Sequence, residues 1–484
     1  MIVPIMPASR PPIYLVSQGK ERNVPPFDEP PPFGLMYVGR ALRDAGFSVR
    51  IIHLHGPGDR RLQEAVNAER PLFVGFSNFI CPTLKYDIAL SRRLTAEKVP
   101  VVWGGIFSTC LPEVVLKSGV VDYVVAGEGE RAAVTLSEAI ASGAPPAGIP
   151  GVGYRRGEEI VMGPPAFQDA DLDAFPFGVD MVDWEPYIYT NRAAGVRLLQ
   201  IPFSRGCPFR CSFCYNAMNP DRQVWRAHGV EYIRDLISYL GRHYGVNVVF
   251  LLCDNPFGKV KEARRIIEGL RVKWMTIAHQ SVINAELLEW AKSCGCLGLS
   301  FGAESGSDRT LTRLNKKTTR EEIKEKARLL GEAGLRSRSS WVALTPGETV
   351  ADLGDTFSLM EEIFAVNPTH GFNLNIYRAY PLTPLWEDGV KLGLREPQSL
   401  DEWGAFRPEV YPLLGYSRRQ VERLKLLVSV LYPFDRGLDR RVPRWARPYL
   451  RGRLRRMSFS LPVEETLKYG SRAIRALIPG FGKR

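Results

Sequence analysis

A chain of 484 residues is too long to fold around one ordinary hydrophobic core, so we expect two or three domains. Its hydrophobic fraction of 45% and charged fraction of 24% are those of a globular protein, which excludes disorder over most of the length. The net charge of +12 comes almost wholly from residues 436–484, which contain 14 lysines and arginines but three acidic residues. The charge therefore says little about the rest of the chain.

The cellular compartment is predicted from two features of the sequence. The N-terminus has no sustained apolar core behind a basic stretch, and no segment has the apolar length of a membrane span. We therefore expect a cytoplasmic protein, and peripheral contact with a membrane surface is the alternative. In that reducing compartment the eight cysteines are not expected to form a disulfide framework, and the tight group at 207–214 indicates metal ligation.

Short apolar strands alternate with helices in residues 1–140. Apolar residues recur at helical spacing from Leu35 to Ala45, and Gly46 ends this predicted helix. The alternation predicts an α/β domain with a doubly wound parallel sheet of flavodoxin or Rossmann type, whose ligands bind at the carboxyl ends of the strands. The strands are predicted at 13–16, 49–52, 73–76, 101–103 and 123–125.

The remaining chain divides into three regions. Residues 141–194 are rich in turn-forming residues and are predicted to be a linker with a small hairpin. Residues 195–395 repeat the strand–helix alternation six times, which predicts a partial (β/α)6 barrel with its active site at the carboxyl ends of the strands. Residues 396–484 are predicted to form a mostly helical, basic C-terminal region. The barrel strands are predicted at 198–201, 248–251, 274–277, 297–300, 340–343 and 372–375, with a helix at 319–330.

The strongest chemical signal is the spacing of Cys207, Cys211 and Cys214, which is C-x3-C-x2-C after a predicted strand. A 4Fe-4S cube usually takes four thiolates, and no fourth cysteine is near in the sequence. One iron would therefore stay open to a ligand that is not protein, as in a catalytic metal site. The alternatives are a zinc site, which would need a fourth ligand, and three unrelated core cysteines.

The segment from Arg205 to Cys214 (Arg-Gly-Cys-Pro-Phe-Arg-Cys-Ser-Phe-Cys) resembles the signature of radical SAM enzymes. The resemblance implies that S-adenosylmethionine (SAM) chelates the open iron and that its reductive cleavage gives a 5′-deoxyadenosyl radical. The three cysteines are then the catalytic and metal-binding residues, and Phe213 matches an aromatic position near the adenine. A reductant such as flavodoxin or ferredoxin would supply the electron.

Further segments resemble the same family over about residues 195–390. Gly302-Ala-Glu-Ser-Gly306 follows a strand and resembles the segment that binds SAM, in which Glu304 would accept from the ribose hydroxyls and Ser305 would donate. Asp254 and Asn255 stand where many relatives carry paired acidic residues, and Asn255 departs from that pattern. His279 and His370, near predicted strand ends, are candidates for lining the site.

Four N-terminal segments, 31–34 (Pro-Pro-Phe-Gly), 74–77 (Val-Gly-Phe-Ser), 103–105 (Trp-Gly-Gly) and 127–130 (Gly-Glu-Gly-Glu), resemble parts of the cobalamin-binding domain that precedes many radical SAM barrels. The resemblance rests on glycine-rich strand ends and implies that a set of residues binds cobalamin. The motif that supplies a histidine to cobalt from below is absent, and His53 and His55 are misplaced for that role, so base-off, His-off binding is expected. The alternative is a flavodoxin-like domain that binds nothing. The proposed cobalamin residues are Ser77, Gly104, Gly105, Thr109, Glu128 and Gly129.

The basic C-terminal tail has three open interpretations. Val463, Leu467, Ile474 and Leu477 can share one helical face, and basic amphipathic helices bind anionic membrane surfaces. RNA is a rival partner, although a nucleic-acid partner is not expected for the enzyme. A solvated helical cap is the third interpretation.

The combined resemblance implies a cobalamin-dependent radical SAM methyltransferase that acts, by way of the adenosyl radical and methylcobalamin, on an unactivated carbon of a hydrophobic natural product or lipid. The rivals are a cobalamin-dependent radical cyclase acting on a tetrapyrrole-like substrate, a radical SAM enzyme whose N-terminal domain is empty, and a non-catalytic cobalamin-binding sensor or carrier. The sequence leaves the substrate open, because fold does not fix function.

Overall fold

The computed structural model describes residues 10–19, 29–80, 82–218, 224–432 and 447–457. The chain forms two compact units, each built from three stretches of sequence. Unit 1 takes its described residues from Met1–Phe203, Arg226–Val249 and Glu396–Arg407, and unit 2 takes them from Ser204–Trp225, Phe250–Arg395 and Pro408–Arg484.

The helices in the described ranges are numbered in chain order. They are α1 Phe33–Asp44, α2 Arg61–Ala68, α3 Leu84–Ala96, α4 Ile106–Cys110, α5 Pro112–Lys117, α6 Glu130–Ser142, α7 Val230–Tyr244, α8 Val260–Leu270, α9 Ala285–Ser293, α10 Asp308–Arg313, α11 Arg320–Glu332, α12 Val350–Val366, α13 Pro384–Lys391, α14 Leu400–Ala405, α15 Arg418–Leu431 and α16 Arg447–Arg455.

The strands are numbered in the same way. They are β1 Ile13–Gln18, β2 Val49–Leu54, β3 Phe73–Asn78, β4 Val101–Gly105, β5 Tyr123–Val125, β6 Val152–Arg156, β7 Glu159–Met162, β8 Tyr189–Asn191, β9 Val196–Pro202, β10 Ser204–Arg205, β11 Arg226–Ala227, β12 Val248–Leu252, β13 Lys273–Ala278, β14 Cys296–Glu304, β15 Arg336–Ala343 and β16 Gly371–Ile376.

The first sheet has the strand order β2-β1-β3-β4-β5-β6-β7 among the residues that the structure describes. Strands β1 to β5 pair in parallel, which confirms the predicted doubly wound domain. Its order reverses between β1 and β3, and ligands of such sheets bind at the carboxyl ends of the strands at that switch point. The core beneath it is built from buried apolar side chains that include Ile13, Leu15, Phe73, Val102 and Leu136.

The predicted hairpin in the 141–194 region is present as β6 and β7. Strand β6 also pairs antiparallel with β5, so the hairpin extends the first sheet by two strands. Turn residues in the sequence identify a hairpin, but the edge on which it pairs depends on contacts far away in the chain. The helix that precedes this region ends as the sequence indicates, since Gly143 after α6 has φ of +72°.

The second sheet has the order β16-β15-β14-β13-β12-β9-β8 in the described part of the chain. All six predicted barrel strands are found, as β9 and β12 to β16, and the printed pairs from β13 to β16 are parallel. This confirms the partial barrel. Strand β8 pairs antiparallel with β9 and was not predicted, because its residues are exposed and lack an apolar pattern.

Two of the barrel helices begin at capping boxes, in which side chains satisfy backbone N–H groups that a helix start leaves open. Thr319 caps the predicted helix α11 and pairs with Glu322, while Thr349 caps α12 and pairs with Asp352. The sequence therefore predicted the start of α11 correctly to one residue.

The described part of the basic tail is helix α16, and it packs inside unit 2. Leu450 and Leu454 are fully buried, and Arg455 and Arg451 make ion pairs with Glu361 on α12. Some of the tail's positive charge is thus neutralised within the fold. The amphipathic face predicted from Val463 to Leu477 lies outside the described residues. Among those that are described, no helix has the length and apolarity to cross a membrane.

Candidate functional site

The three cysteines of the signature lie on one loop of unit 2, directly after β10. All three are free thiols; Cys211 is buried and the other two are half-buried. The loop is pinned at Ser212, whose N–H donates to the Leu314 carbonyl at 2.9 Å and whose carbonyl accepts from Leu385 N–H at 3.0 Å. The loop is therefore held by backbone contacts to two distant segments.

The thiols are close enough to influence one another's ionisation. Burial, helped by negative charge on Cys211 and Cys207, raises the pKa of Cys214 to about 12. Burial also raises the pKa of Cys207 and Cys211, whereas the positive charge of Lys316 opposes the rise at both. Thiolates are the metal-binding form, so ligation here would release protons.

Within the described residues, no three or more His, Cys, Asp and Glu side chains are arranged around one point as ligands of a single metal ion. A 4Fe-4S cube does not require thiolates that surround one point, because each thiolate binds a different iron. Three neighbouring thiols that do not converge on one point are compatible with that arrangement.

Asp254 joins the two ends of the cysteine loop. One carboxylate oxygen accepts from Gly206 N–H at 2.9 Å, just before Cys207, and the other accepts from the Tyr215 hydroxyl, just after Cys214. Asp254 follows β12, so a rigid strand end fixes the span of the loop.

A buried ion pair lies beside the thiols. Lys316 Nζ is 3.2 Å from Glu304 Oε1, and the two residues are 6% and 7% exposed. Burial lowers the pKa of Lys316, but the charges of Glu304 and Cys211 outweigh this effect, so its pKa stands above the ordinary value. Lys316 was missed by the sequence analysis, because it sits in a Lys-Lys pair that is typical of an exposed turn.

Glu304 has a backbone conformation that side chains other than glycine rarely adopt, with φ of +65°. Its carboxylate occupies the space above Gly302, where a Cβ atom would stand 2.1 Å from Glu304 Oε1 and 2.9 Å from Lys316 Nζ. A Cβ at position 302 would therefore push the ion pair away from β14.

His279 also lies at this site, after β13. Its ring stacks on Phe209 of the cysteine loop with centroids 3.6 Å apart, and its Nδ1 lies 2.8 Å from Ser281 Oγ. The buried Nε2 atom has no hydrogen-bond partner, nor do the side-chain amide atoms of Gln280. His370, in contrast, is enclosed by Ser337 and Ser339, which places it in the core.

A cluster of buried polar side chains lies at the switch point of the first sheet, within unit 1. Gln18 ends β1, Asn78 ends β3, and Asp87 lies on α3; Asn78 Nδ2 donates to Asp87 Oδ2 at 2.7 Å. One oxygen of each of these three side chains is buried without a hydrogen-bond partner. Buried polar groups are normally satisfied, so unpartnered oxygens at a ligand-binding edge mark a place where a polar ligand could bind.

The residues proposed from the glycine-rich strand ends surround the same edge. Gly105 has φ of +89°, and a Cβ there would stand 2.6 Å from the Asn78 carbonyl oxygen. A glycine at this position therefore allows the ends of β3 and β4 to approach closely. The Thr109 hydroxyl donates to the Gly105 carbonyl at 2.8 Å and accepts from Gly127 N–H at 2.9 Å. Ser77 and Gly104 are half-buried next to them.

Glu128 and Gly129 have structural partners in unit 1. The Glu128 carboxylate forms an ion pair with Arg226, whose Nη1 lies 3.1 Å from Glu128 Oε2, and Arg226 also donates to the Asp169 carbonyl at 2.6 Å. Gly129 is the residue before α6. The roles of these residues toward cobalamin stay predictions.

Two family models match the chain, and together they cover both candidate sites. The model of the radical SAM superfamily matches residues 201–360, and that of the B12 binding domain matches residues 26–137. The chain is a radical SAM enzyme with a cobalamin-binding domain.

Relatives of this radical SAM enzyme carry different activities. It is 27% identical to an uncharacterized methyltransferase of Pyrococcus horikoshii, over 70% of this chain and 73% of the relative. It is 28% identical to the anaerobic magnesium-protoporphyrin IX monomethyl ester cyclase of Synechocystis, over 72% and 71%. Its fold resembles the cobalamin- and cluster-bound structure of the radical SAM methyltransferase TsrM from Kitasatospora setae, with a TM-score of 0.66, 18% identity and coverage of 97% and 100%.

The cofactors of this radical SAM enzyme are a 4Fe-4S cluster, SAM and cobalamin, and the residues present fit them. Three adjacent free thiols suit a cluster with one open iron. The unpartnered side-chain amide atoms of Gln280, next to His279 in the chain, are buried polar atoms that a polar ligand such as SAM could satisfy. The unpartnered amide oxygens of Gln18 and Asn78 are acceptors for amide donors, which cobalamin carries around its corrin ring.

The three residues predicted to bind SAM differ in their contacts and in their burial. Glu304 is bound to Lys316, as described above. Ser305 is fully buried, and its hydroxyl lies 3.1 Å from Thr356 Oγ1 and accepts from Ser307 N–H, so it anchors the strand end. Phe213 is half-buried in the turn between Cys211 and Cys214. The contacts of Glu304, Ser305 and Phe213 with SAM stay predictions.

Replacing Asp87 with asparagine is expected to flatten the pH dependence of stability. Burial raises the pKa of Asp87 from 3.8 to about 7, so the folded state holds a proton that the unfolded state releases above pH ~4. The wild-type chain should therefore lose stability as pH rises toward 7, by up to ~1.4 kcal/mol per pH unit, and change little above it. Urea unfolding of the cofactor-free protein from about pH 5 to about pH 8 measures this.

In that experiment Asp87→Asn should gain stability relative to the wild type as pH rises. The exposed variant Asp44→Asn serves as the control and should follow the wild-type profile. Parallel profiles for wild type and Asp87→Asn would show that Asp87 is ionised in the folded protein.

Proposed function

We propose that this protein is a methyltransferase that acts on an unactivated carbon of a hydrophobic natural product or lipid. When bound, the cluster with SAM supplies a radical that removes hydrogen from substrate, and cobalamin supplies the methyl group. The observation that carries the proposal is the presence of both kinds of site in one chain: three free thiols on the loop after β10, and the unpartnered amide oxygens of Gln18 and Asn78 at the switch point of the first sheet.

The chain's own residues have positioning roles in this proposal. Asp254 fixes the span of the cysteine loop through Gly206 and Tyr215. The stacked rings of Phe209 and His279 cover one side of the loop. The methyltransferases among the relatives support this activity, and a flavodoxin or ferredoxin is the proposed electron donor.

A cyclase is the second candidate, because a cyclase of a tetrapyrrole ester matches the chain at 28% identity, about as well as the methyltransferase does. A membrane-surface contact of the C-terminal tail also remains a proposal; it would bring a lipid substrate to the enzyme.

The deciding experiment uses protein purified without oxygen, loaded with iron, sulfide and cobalamin, and supplied with reductant and methyl-deuterated SAM. Mass spectrometry should find 5′-deoxyadenosine and deuterated methylcobalamin, and a substrate that gains a deuterated methyl group would identify the reaction. Deoxyadenosine without a labelled corrinoid would contradict methyl transfer and favour the cyclase. Absence of SAM cleavage would contradict both and revive a non-catalytic cobalamin sensor.

A further inference from the structure

One face of the barrel sheet in unit 2 can be assigned to the cofactor side. The Cβ direction of Gly302 on β14 points at Glu304 and Lys316, the ion pair beside the thiols. Gly302 pairs with Ser340 on β15, and Ser340 pairs with Asn373 on β16. Paired residues of adjacent parallel strands project to the same face, so Ser340 and Asn373 face the cofactor side.

That face is polar on β15 and β16. Asn373 and Asn375 are exposed and Ser340 is half-buried, whereas the alternate residues Trp341 and Phe372 are buried on the other face. The Asn375 side-chain amide donates to Ser340 Oγ at 2.9 Å, so these side chains lie side by side. Ser340, Asn373 and Asn375 are called the amide wall below.

The same face of the sheet carries an exposed apolar side chain on β13, two strands away from β15. Ile277 on β13 pairs with Ser300 of β14, which projects to the same side as Gly302 two residues later. Ile277 is 44% exposed, an unusual state for a large apolar residue in a barrel strand. The cofactor side of the sheet therefore carries an exposed isoleucine on β13 and a polar surface on β15 and β16.

We propose that this face binds an amphipathic substrate whose apolar body lies on Ile277 and whose hydroxyl-bearing head lies on the amide wall. The inference rests on the proposed function and names the substrate class for it. Asparagine and serine side chains both donate and accept hydrogen bonds, which matches hydroxyl groups, since these also do both. A head without hydroxyls would leave the wall's polar atoms unpaired when water is excluded, and this discriminates strongly between substrates.

The test measures binding, so its result does not depend on methyl transfer. Equilibrium dialysis of the cofactor-loaded full chain uses radiolabelled octyl glucoside and octanoate, both below their micelle-forming concentrations, which differ in the head but share the apolar length. Wild type should bind octyl glucoside more tightly than octanoate. The double variant Asn373→Leu with Asn375→Leu should weaken octyl glucoside binding about tenfold and leave octanoate binding unchanged.

Two further variants separate the parts of the proposal. Ile277→Ser should weaken the binding of both probes, because they share the apolar chain. Asn67→Leu on helix α2 is the matched control, an exposed amide of unit 1 far in sequence from the wall, and should bind both probes as wild type does. Each variant must retain wild-type cluster and corrinoid absorbance, which shows that it is folded.

Equal octyl glucoside binding by wild type and the double variant would overturn the inference. Tighter binding of octanoate than of octyl glucoside would also overturn it, and would point to an anionic head near Arg338 on the same face. In either case the transfer of a deuterated methyl group can still succeed, so failure of this inference and failure of the proposed function are told apart.

Discussion

Replacing Cys211 with alanine is expected to abolish both the iron–sulfur cluster and the cleavage of SAM. Cys211 is the buried member of the three thiols. It lies close enough to Cys207 and Cys214 for their charges to interact with its own. With two thiolates left, a cube would expose two irons without a protein ligand. Iron content and visible absorbance after anaerobic reconstitution measure the cluster, and 5′-deoxyadenosine formation measures the cleavage.

Cys253→Ala is the control for Cys211→Ala, because Cys253 is a cysteine that only the fold brings near the cluster loop. It follows β12, 46 positions after Cys207 in the chain, yet the two thiols are near enough that charge on Cys207 raises the pKa of Cys253. Its thiol faces the Leu251 carbonyl at 3.7 Å. Cys253→Ala should keep the cluster and SAM cleavage. Loss of the cluster in this variant would reveal a fourth thiolate and contradict the open iron on which the SAM chemistry depends.

The second large effect is expected for Lys316→Met, which leaves the Glu304 carboxylate buried without its cation. Removing one partner of a buried ion pair costs about 3–5 kcal/mol, because the remaining charge has no compensation. The variant should unfold at a lower urea concentration than wild type when both are free of cofactors. Lys117→Met, which breaks the exposed pair with Glu113, should change the midpoint little.

A double variant shows whether the cost comes from the unpaired charge. Glu304→Gln combined with Lys316→Met removes both charges, so much of the stability lost in Lys316→Met should return. If the double variant is as unstable as the sum of the single changes, the two side chains act independently and the ion pair does not explain the effect.

The sequence by itself determined the order of the elements and predicted the cluster ligands. Cysteine spacing is a local property of one loop, and alternating apolar strands and helices carry their own periodicity, so both can be found without knowing which residues meet. The strands of the doubly wound domain and the barrel followed from this, as did the capped start of α11 at Thr319.

Only the tertiary structure decided which distant residues share the sites. Lys316 looked like part of an exposed charged turn, but the strand end at Glu304 and the cysteine loop enclose it. Asp87 sits on a helix face yet reaches the ends of β1 and β3, because the strand order reverses there. The amide wall depends on strand register, which no local pattern specifies. Burial and charge at these positions come from contacts across the fold, and a sequence records such contacts only indirectly.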